Sequence, residues 1–152
     1  MDVDGVLNTG HILYNTVGKT FKVFGPHDKD GLKLIKQYIS DINFITADVT
    51  GFEITYTRIV KDWGYRPEQL ILVSEEDRMG WFLNNCNIDE TVYIADGYHD
   101  APILERVALG IAPQSARIEA KNAADYVTDS VAGSGAVLDA CLYIERVING
   151  LS

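Results

Sequence analysis

The feature that most constrains this chain is an alternation. Short, continuously apolar runs take turns with stretches whose apolar residues recur at helical spacing. INFIT (42–46), QLILVS (69–74), TVYIAD (91–96), GIAP (110–113) and YVT (126–128) read as strands. Between and after them, ITYTRIVKDWGY (54–65), DRMGWFLNN (77–85), DAPILERVAL (100–109), RIEAKNAA (117–124) and GAVLDACLYIERVI (135–148) read as helices. A strand that is apolar at every position is covered on both faces, and strands that alternate with helices pair in parallel. The pattern predicts a three-layer, Rossmann-like α/β fold around a central parallel sheet. A β-hairpin is predicted at 11–24, around the turn Asn15-Thr16-Val17-Gly18-Lys19. Asp28 is then placed to cap a helix carrying Leu32, Ile35, Tyr38 and Ile39. At 152 residues, the whole span 1–152 suits one domain.

In a parallel α/β sheet, ligands bind at the carboxyl ends of the strands. Four groups of residues sit at such ends or beside them. Asp2 and Asp4 are separated by one residue, so an extended backbone points both carboxylates to the same side. One could attack phosphorus while the other handles protons. Gly5 permits the tight turn that brings backbone amides near a phosphate. Thr46 ends the run INFIT, where its hydroxyl could hydrogen-bond a phosphate oxygen. Arg78 opens a helix and offers a cation for an anionic ligand. Asp96 and Asp100 follow the run TVYIA, and carboxylates there suit magnesium, which prefers oxygen ligands. Taken singly, each feature has a plainer reading: a turn, a strand-end hydroxyl, a solvated arginine, a helix cap.

Charge narrows the possibilities. The formal net charge is −9, which disfavours nucleic-acid binding. An anionic substrate would need a local cation, and a bound divalent metal is the usual solution. No apolar stretch approaches the length of a membrane span. No basic segment followed by an apolar run marks a leader. Cys86 and Cys141 form no spaced pair, so a reducing, cytoplasmic setting is expected. His11, His27 and His99 have no spacing that suggests zinc. Trp63, Trp81 and Phe82 fall at helical positions and read as core or interface. Glu75, Glu76 and Asp77 read as a solvated loop.

The order DVDGVL, FIT, a basic residue and ADGYHD resembles the four motifs of the haloacid dehalogenase superfamily of phosphatases. GHILYNTVGKTFKVF, DGLKLI, GIA, AADYVT and GSGAV extend the likeness over nearly the whole chain. They resemble the small branch without a cap domain that includes 3-deoxy-D-manno-octulosonate 8-phosphate phosphatases. The resemblance implies that Asp2 is the nucleophile and Asp4 the general acid, then the base. It implies that Thr46 and Arg78 hold phosphoryl oxygens. Asp2, the backbone carbonyl of Asp4, and Asp96 would bind Mg2+, with Asp100 supporting the site. It also implies a homotetramer in which one subunit's hairpin covers the next subunit's site, and a small phosphomonoester, a sugar or sugar-acid phosphate, as substrate.

This chain departs from the branch in places. Ala47-Asp48 stands where Gly-Arg is usual, Arg78 where lysine is usual, and Leu138 where arginine is frequent. One residue precedes Asp2, where the first strand of such folds usually supplies several apolar residues. A different class also fits the likeness, a non-catalytic assembly module like that carried by some sugar-nucleotide synthetases. Such a module has no need of Asp2, Asp4, Asp96 and Asp100 together. A nucleotide phosphatase is a third reading.

Overall fold

The computed structural model describes residues 1–151. The predicted alternation is present. The hairpin strands are β1 (Asn8–Asn15) and β2 (Gly18–Phe24). Then come α1 (Asp28–Ile35), β3 (Phe44–Thr46) and α2 (Phe52–Tyr56), which runs on as a π-helical turn over Thr57–Asp62. They are followed by β4 (Leu70–Leu72), α3 (Arg78–Asn85) and β5 (Val92–Ile94). The chain ends with α4 (Ala101–Leu104), β6 (Leu109–Ala112), α5 (Ile118–Ala123), β7 (Tyr126–Val127) and α6 (Ala136–Ile148).

Strands β3 and β4 pair in parallel, as do β5, β6 and β7. Residues 1–3 join the two ladders into one sheet. The Asp2 amide donates to the Ile94 carbonyl at 2.9 Å, and the Val3 amide to the Ile45 carbonyl at 3.0 Å. The Ile45 amide donates back to Met1 at 2.9 Å. Met1, Asp2 and Val3 thus form a short central segment, the stub, with Asp2 in its middle.

Apolar residues fill both sides of the sheet. Leu32 and Ile35 of α1, Ile59 of the π-helical turn, and Val137, Cys141 and Ile144 of α6 pack with Val3, Val6 and Leu7. On the other side Phe82, Ile103, Leu104 and Ala120, from α3, α4 and α5, pack with Ile45 and Tyr93. Val3, Val6 and Leu7 are wholly buried, each side chain contributing roughly 1.5–3 kcal/mol of transfer free energy. These residues anchor the loop that follows Asp2. Trp63 and Phe82 are buried, as their helical spacing implied, and Trp81 packs at the margin of the second cluster.

Below the stub lies a cavity of about 600 Å³ between β3 and β5. Ile35, Ile39, Ile45, Phe82, Ile94 and Ile144 are among its walls. The Met1 ammonium points at the Asn43 carbonyl at 2.8 Å, and burial lowers its pKa to about 6.

Two local expectations are corrected. Asp28 does not cap α1, whose N-cap is His27 with no side-chain bond. Its buried carboxylate instead accepts from the Val137 amide at 3.1 Å, serving the start of α6. The close approach of the two helices makes this possible. Gly31 of α1 lies so near the Leu138 backbone that a Cβ there would sit 2.7 Å from its Cα. The predicted helix through Ile39 also ends sooner, at Ile35, with Tyr38 and Ile39 in turns bonded back to the Ile35 carbonyl.

Candidate active site

Every strand-end residue singled out in the sequence comes to one edge of the sheet. Asp2 lies in the central stub, Thr46 ends β3, and Asp96 follows β5 after Ala95. Arg78 is the first residue of α3. Asp100 closes a 3₁₀ turn over Tyr98–Asp100 and turns its carboxylate back towards Asp2 rather than capping α4.

Asp2, Asp96 and Asp100 each offer an oxygen, and the three lie within 4.8 Å of one another. The Arg78 guanidinium sits beside them, its Nη1 3.2 Å from Asp2 Oδ1 and 2.9 Å from Asp100 Oδ1. The Tyr93 hydroxyl donates to the same Asp100 oxygen at 2.7 Å, and the Gly97 amide donates to the other at 3.1 Å. Asp2, Arg78, Tyr93 and Asp100 are buried. Burial pushes the Asp2 carboxyl well above its usual range; Arg78 opposes the shift, while Asp100, Asp96 and Asp4 add to it. Burial also raises Asp96 to about 6, with Asp100 adding to the rise and a hydrogen bond with Asp2 opposing it. One guanidinium thus faces three crowded carboxylates. A divalent cation at their common centre would relieve that repulsion and return them to the ionised form. The donor set is all oxygen, which suits a hard ion.

Gly5 shapes the same corner. Its φ is +82°, and a Cβ there would collide with the Asp96 carboxylate. The turn it permits leads the chain away from Asp2 while keeping Asp4 at the site.

The Asp4 carboxylate faces a different set of partners. Thr46 Oγ1 donates to Oδ2 at 3.0 Å, while Asn8 Nδ2 and Lys22 Nζ each approach Oδ1 at 2.8 Å. Lys22 also reaches Asp48 Oδ2 at 2.9 Å and Thr55 Oγ1 at 2.9 Å, and its side chain is wholly buried. Lys19 pairs with the other Asp48 oxygen. Burial pushes Asp48 upward, but bonds from Lys19 and Lys22 outweigh it and bring the pKa to about 2.

Asn8, Lys22 and Tyr93 were not singled out in the sequence, Lys19 only as a turn residue, though it lies in β2, and Asp48 only as a departure. Lys19 and Lys22 are three residues apart, which normally sets them on opposite faces of a strand. The hairpin register shifts between Leu13 and Tyr14: Leu13 faces Phe21 and Tyr14 faces Lys19, leaving Thr20 as an extra residue. That bulge lets both lysines reach Asp48. His11, His27 and His99 stand apart from the carboxylate cluster; His99 lies exposed, 3.6 Å from Glu75.

Comparison with known proteins agrees with this geometry. Residues 82–140 match the family of haloacid dehalogenase-like hydrolases. The 3-deoxy-D-manno-octulosonate 8-phosphate phosphatase of Escherichia coli K12 is 30% identical over 151 residues, covering 93% of this chain and 74% of the relative. The enzyme of that name from Moraxella catarrhalis, solved with magnesium, phosphate and a KDO molecule, is 26% identical with a TM-score of 0.77. That match covers 99% of this chain and 86% of the other. The cobalt-bound enzyme from Haemophilus influenzae is 25% identical with a TM-score of 0.79, covering 99% and 87%.

Fold and site together define a member of the haloacid dehalogenase superfamily. Within it, the chain belongs to the family of 3-deoxy-D-manno-octulosonate 8-phosphate phosphatase-like proteins.

Proposed function

We propose that this protein is a magnesium-dependent phosphatase that hydrolyses a small phosphomonoester, a sugar or sugar-acid phosphate. The observation that carries the reading is the pair Asp2 and Asp4 in two separate environments. Asp2 lies among the metal-type oxygens, and Asp4 lies apart from them, held by Thr46, Asn8 and Lys22. A nucleophile and an acid–base group need such a division of surroundings.

In this mechanism Asp2 attacks phosphorus, forming an aspartyl-phosphate as the bond to the leaving oxygen breaks. Asp4 gives its proton to the leaving alkoxide. It then takes a proton from the water that attacks the phosphoenzyme, releasing phosphate and restoring Asp2. Arg78 and Thr46 contact the non-bridging oxygens. Asp2, Asp96 and the Asp4 backbone carbonyl would hold Mg2+, and Asp100 would support the site by keeping Arg78 and the Gly97 turn in place. The ion would supply local positive charge against the anionic substrate and the −9 chain.

The reading extends to a homotetramer in the cytoplasm. Leu13, Tyr14, Val17 and Phe21 of the hairpin are exposed, Val17 at 93%. A neighbouring subunit would cover such an apolar strip. Cys86 and Cys141 are free thiols, consistent with a reducing compartment.

The test is phosphate release from phosphorylated sugars, sugar acids and nucleotides, with magnesium and with chelator. Metal-dependent release from the sugar-type substrates is expected. A folded, oligomeric protein that releases phosphate from none would favour the assembly-module reading. Sedimentation at the mass of one 16.8 kDa chain would remove the tetramer.

A further inference from the structure

The two oxygens of the Asp4 carboxylate are held in different ways. Asn8 Nδ2 and Lys22 Nζ both approach Oδ1 at 2.8 Å, and Thr46 Oγ1 donates to Oδ2 at 3.0 Å. An amide NH2 and an ammonium can only donate, whereas a hydroxyl hydrogen can rotate away. Under the phosphatase reading, on which this inference rests, Asp4 carries a proton while the leaving group is still attached. Both lone pairs of Oδ1 are taken by fixed donors, so that oxygen has no place for a proton. Oδ2 has one, because the phosphatase reading gives the Thr46 hydrogen to the phosphoryl group.

Both donors are locked. Asn8 opens β1 and is buried. Its own Oδ1 accepts from the Gly5 amide at 3.1 Å and the Gly10 amide at 2.9 Å. Turning the side-chain amide over would set its NH2 against two N–H groups, so Nδ2 must face Asp4. The side chain that ties down the loop after Asp4 thus also orients its carboxylate. Lys22 is fixed from the other side. Its Nζ also lies 2.9 Å from Asp48 Oδ2 and 2.9 Å from Thr55 Oγ1, so three acceptors meet its three hydrogens. Its side chain is wholly buried and cannot itself deliver a proton to a substrate. Once the proton has left Oδ2, the ammonium faces the carboxylate that remains and stabilises it.

We propose that Asn8 and Lys22 are positioning residues for the acid–base step, and that by filling Oδ1 of Asp4 they fix the transferable proton on Oδ2, towards the leaving oxygen. As the phosphorus–oxygen bond breaks, its electron pair passes to the leaving oxygen, which takes the proton from Oδ2. In the second half of the reaction the attacking water bonds to phosphorus through its oxygen and loses a proton to the same Oδ2. Asn8 and Lys22 keep all their hydrogens throughout.

The experiment measures kcat/KM for dinitrophenyl, p-nitrophenyl and phenyl phosphate, using the full chain with magnesium. A dinitrophenolate departs without a proton, whereas a phenolate is a poor leaving group and gains from one. The ratio kcat/KM covers the steps up to departure of the aryl group, so hydrolysis of the common phosphoenzyme does not enter it. Asn8→Asp keeps an acceptor for the Gly5 and Gly10 amides but replaces the donor to Asp4 by an oxygen. Lys22→Met removes the ammonium. Each is expected to lower kcat/KM for phenyl phosphate at least about tenfold more than for dinitrophenyl phosphate, a part of the roughly 10²–10⁴-fold that acid–base catalysis supplies. A smaller folded fraction would lower all three substrates alike. Circular dichroism checks the fold of each variant, and equal losses along the series, or none, in a folded variant overturn the inference for that residue. Failure of the unmodified protein to hydrolyse even dinitrophenyl phosphate overturns the phosphatase reading, and this inference with it.

Discussion

Lys22 Nζ lies 2.8 Å from Asp4 Oδ1, and no part of the lysine side chain reaches solvent. A buried cation of this kind is hard to remove, because Asp4 and Asp48, themselves only partly exposed, then lose it. Lys22→Met would leave Asp4 and Asp48 without their shared counter-ion. Asp48 keeps Lys19 and Asp4 is partly exposed, so the loss falls below that of a fully buried pair, and a denaturant titration is expected to show about 1–3 kcal/mol. Turnover should fall as well, since Asp4 would lose a donor that fixes its orientation. Unchanged stability would mean that the lysine is not held as described.

Magnesium should stabilise the protein through the carboxylate cluster. At about 100 times the dissociation constant, a ligand that binds only the folded state adds about 2.7 kcal/mol. For a chain of this size that corresponds to roughly 5–10 °C in Tm. Thermal unfolding with and without magnesium checks this. Asp96→Asn is expected to abolish most of the shift, because the cluster of Asp2, Asp96 and Asp100 would lose one of its charges.

The lysine–Asp48 network should be visible in acid. Asp48 titrates at about 2 in the folded protein, below its ordinary 3.8. A carboxyl with a depressed folded pKa contributes stability above its unfolded value. That contribution is lost as pH falls from about 4 towards 2. The difference in urea midpoint between the unmodified protein and Asp48→Asn should therefore be present at pH 5 and shrink by pH 2. A difference that stays constant over this range would contradict the pairing.

The sequence revealed most where a residue's role depends on its place in an element. Thr46 and Asp96 stand after continuous apolar runs, so their position at one sheet edge followed from strand direction alone. Arg78 followed from its place at a helix start. Roles set by tertiary approach were not visible. Asp28 looks like a local cap, yet it serves an amide 109 residues away, because α1 and α6 meet at Gly31. Lys19 and Lys22 have the wrong spacing for one strand face, and only the bulge at Thr20 allows both to reach Asp48. The π-helical turn at Thr57–Asp62 likewise leaves no local mark that separates it from the α-helix expected there.

The central claim is that Asp2 takes up the phosphoryl group while Asp4 moves protons. The most direct measurement is magnesium-dependent release of phosphate by the unmodified protein, Asp2→Asn and Asp4→Asn under identical conditions. Each substitution is expected to reduce release by at least about a thousandfold, as removal of a nucleophile or its acid–base partner commonly does. Circular dichroism should show that both variants remain folded. Near-normal release by folded Asp2→Asn would contradict the assignment of the nucleophile.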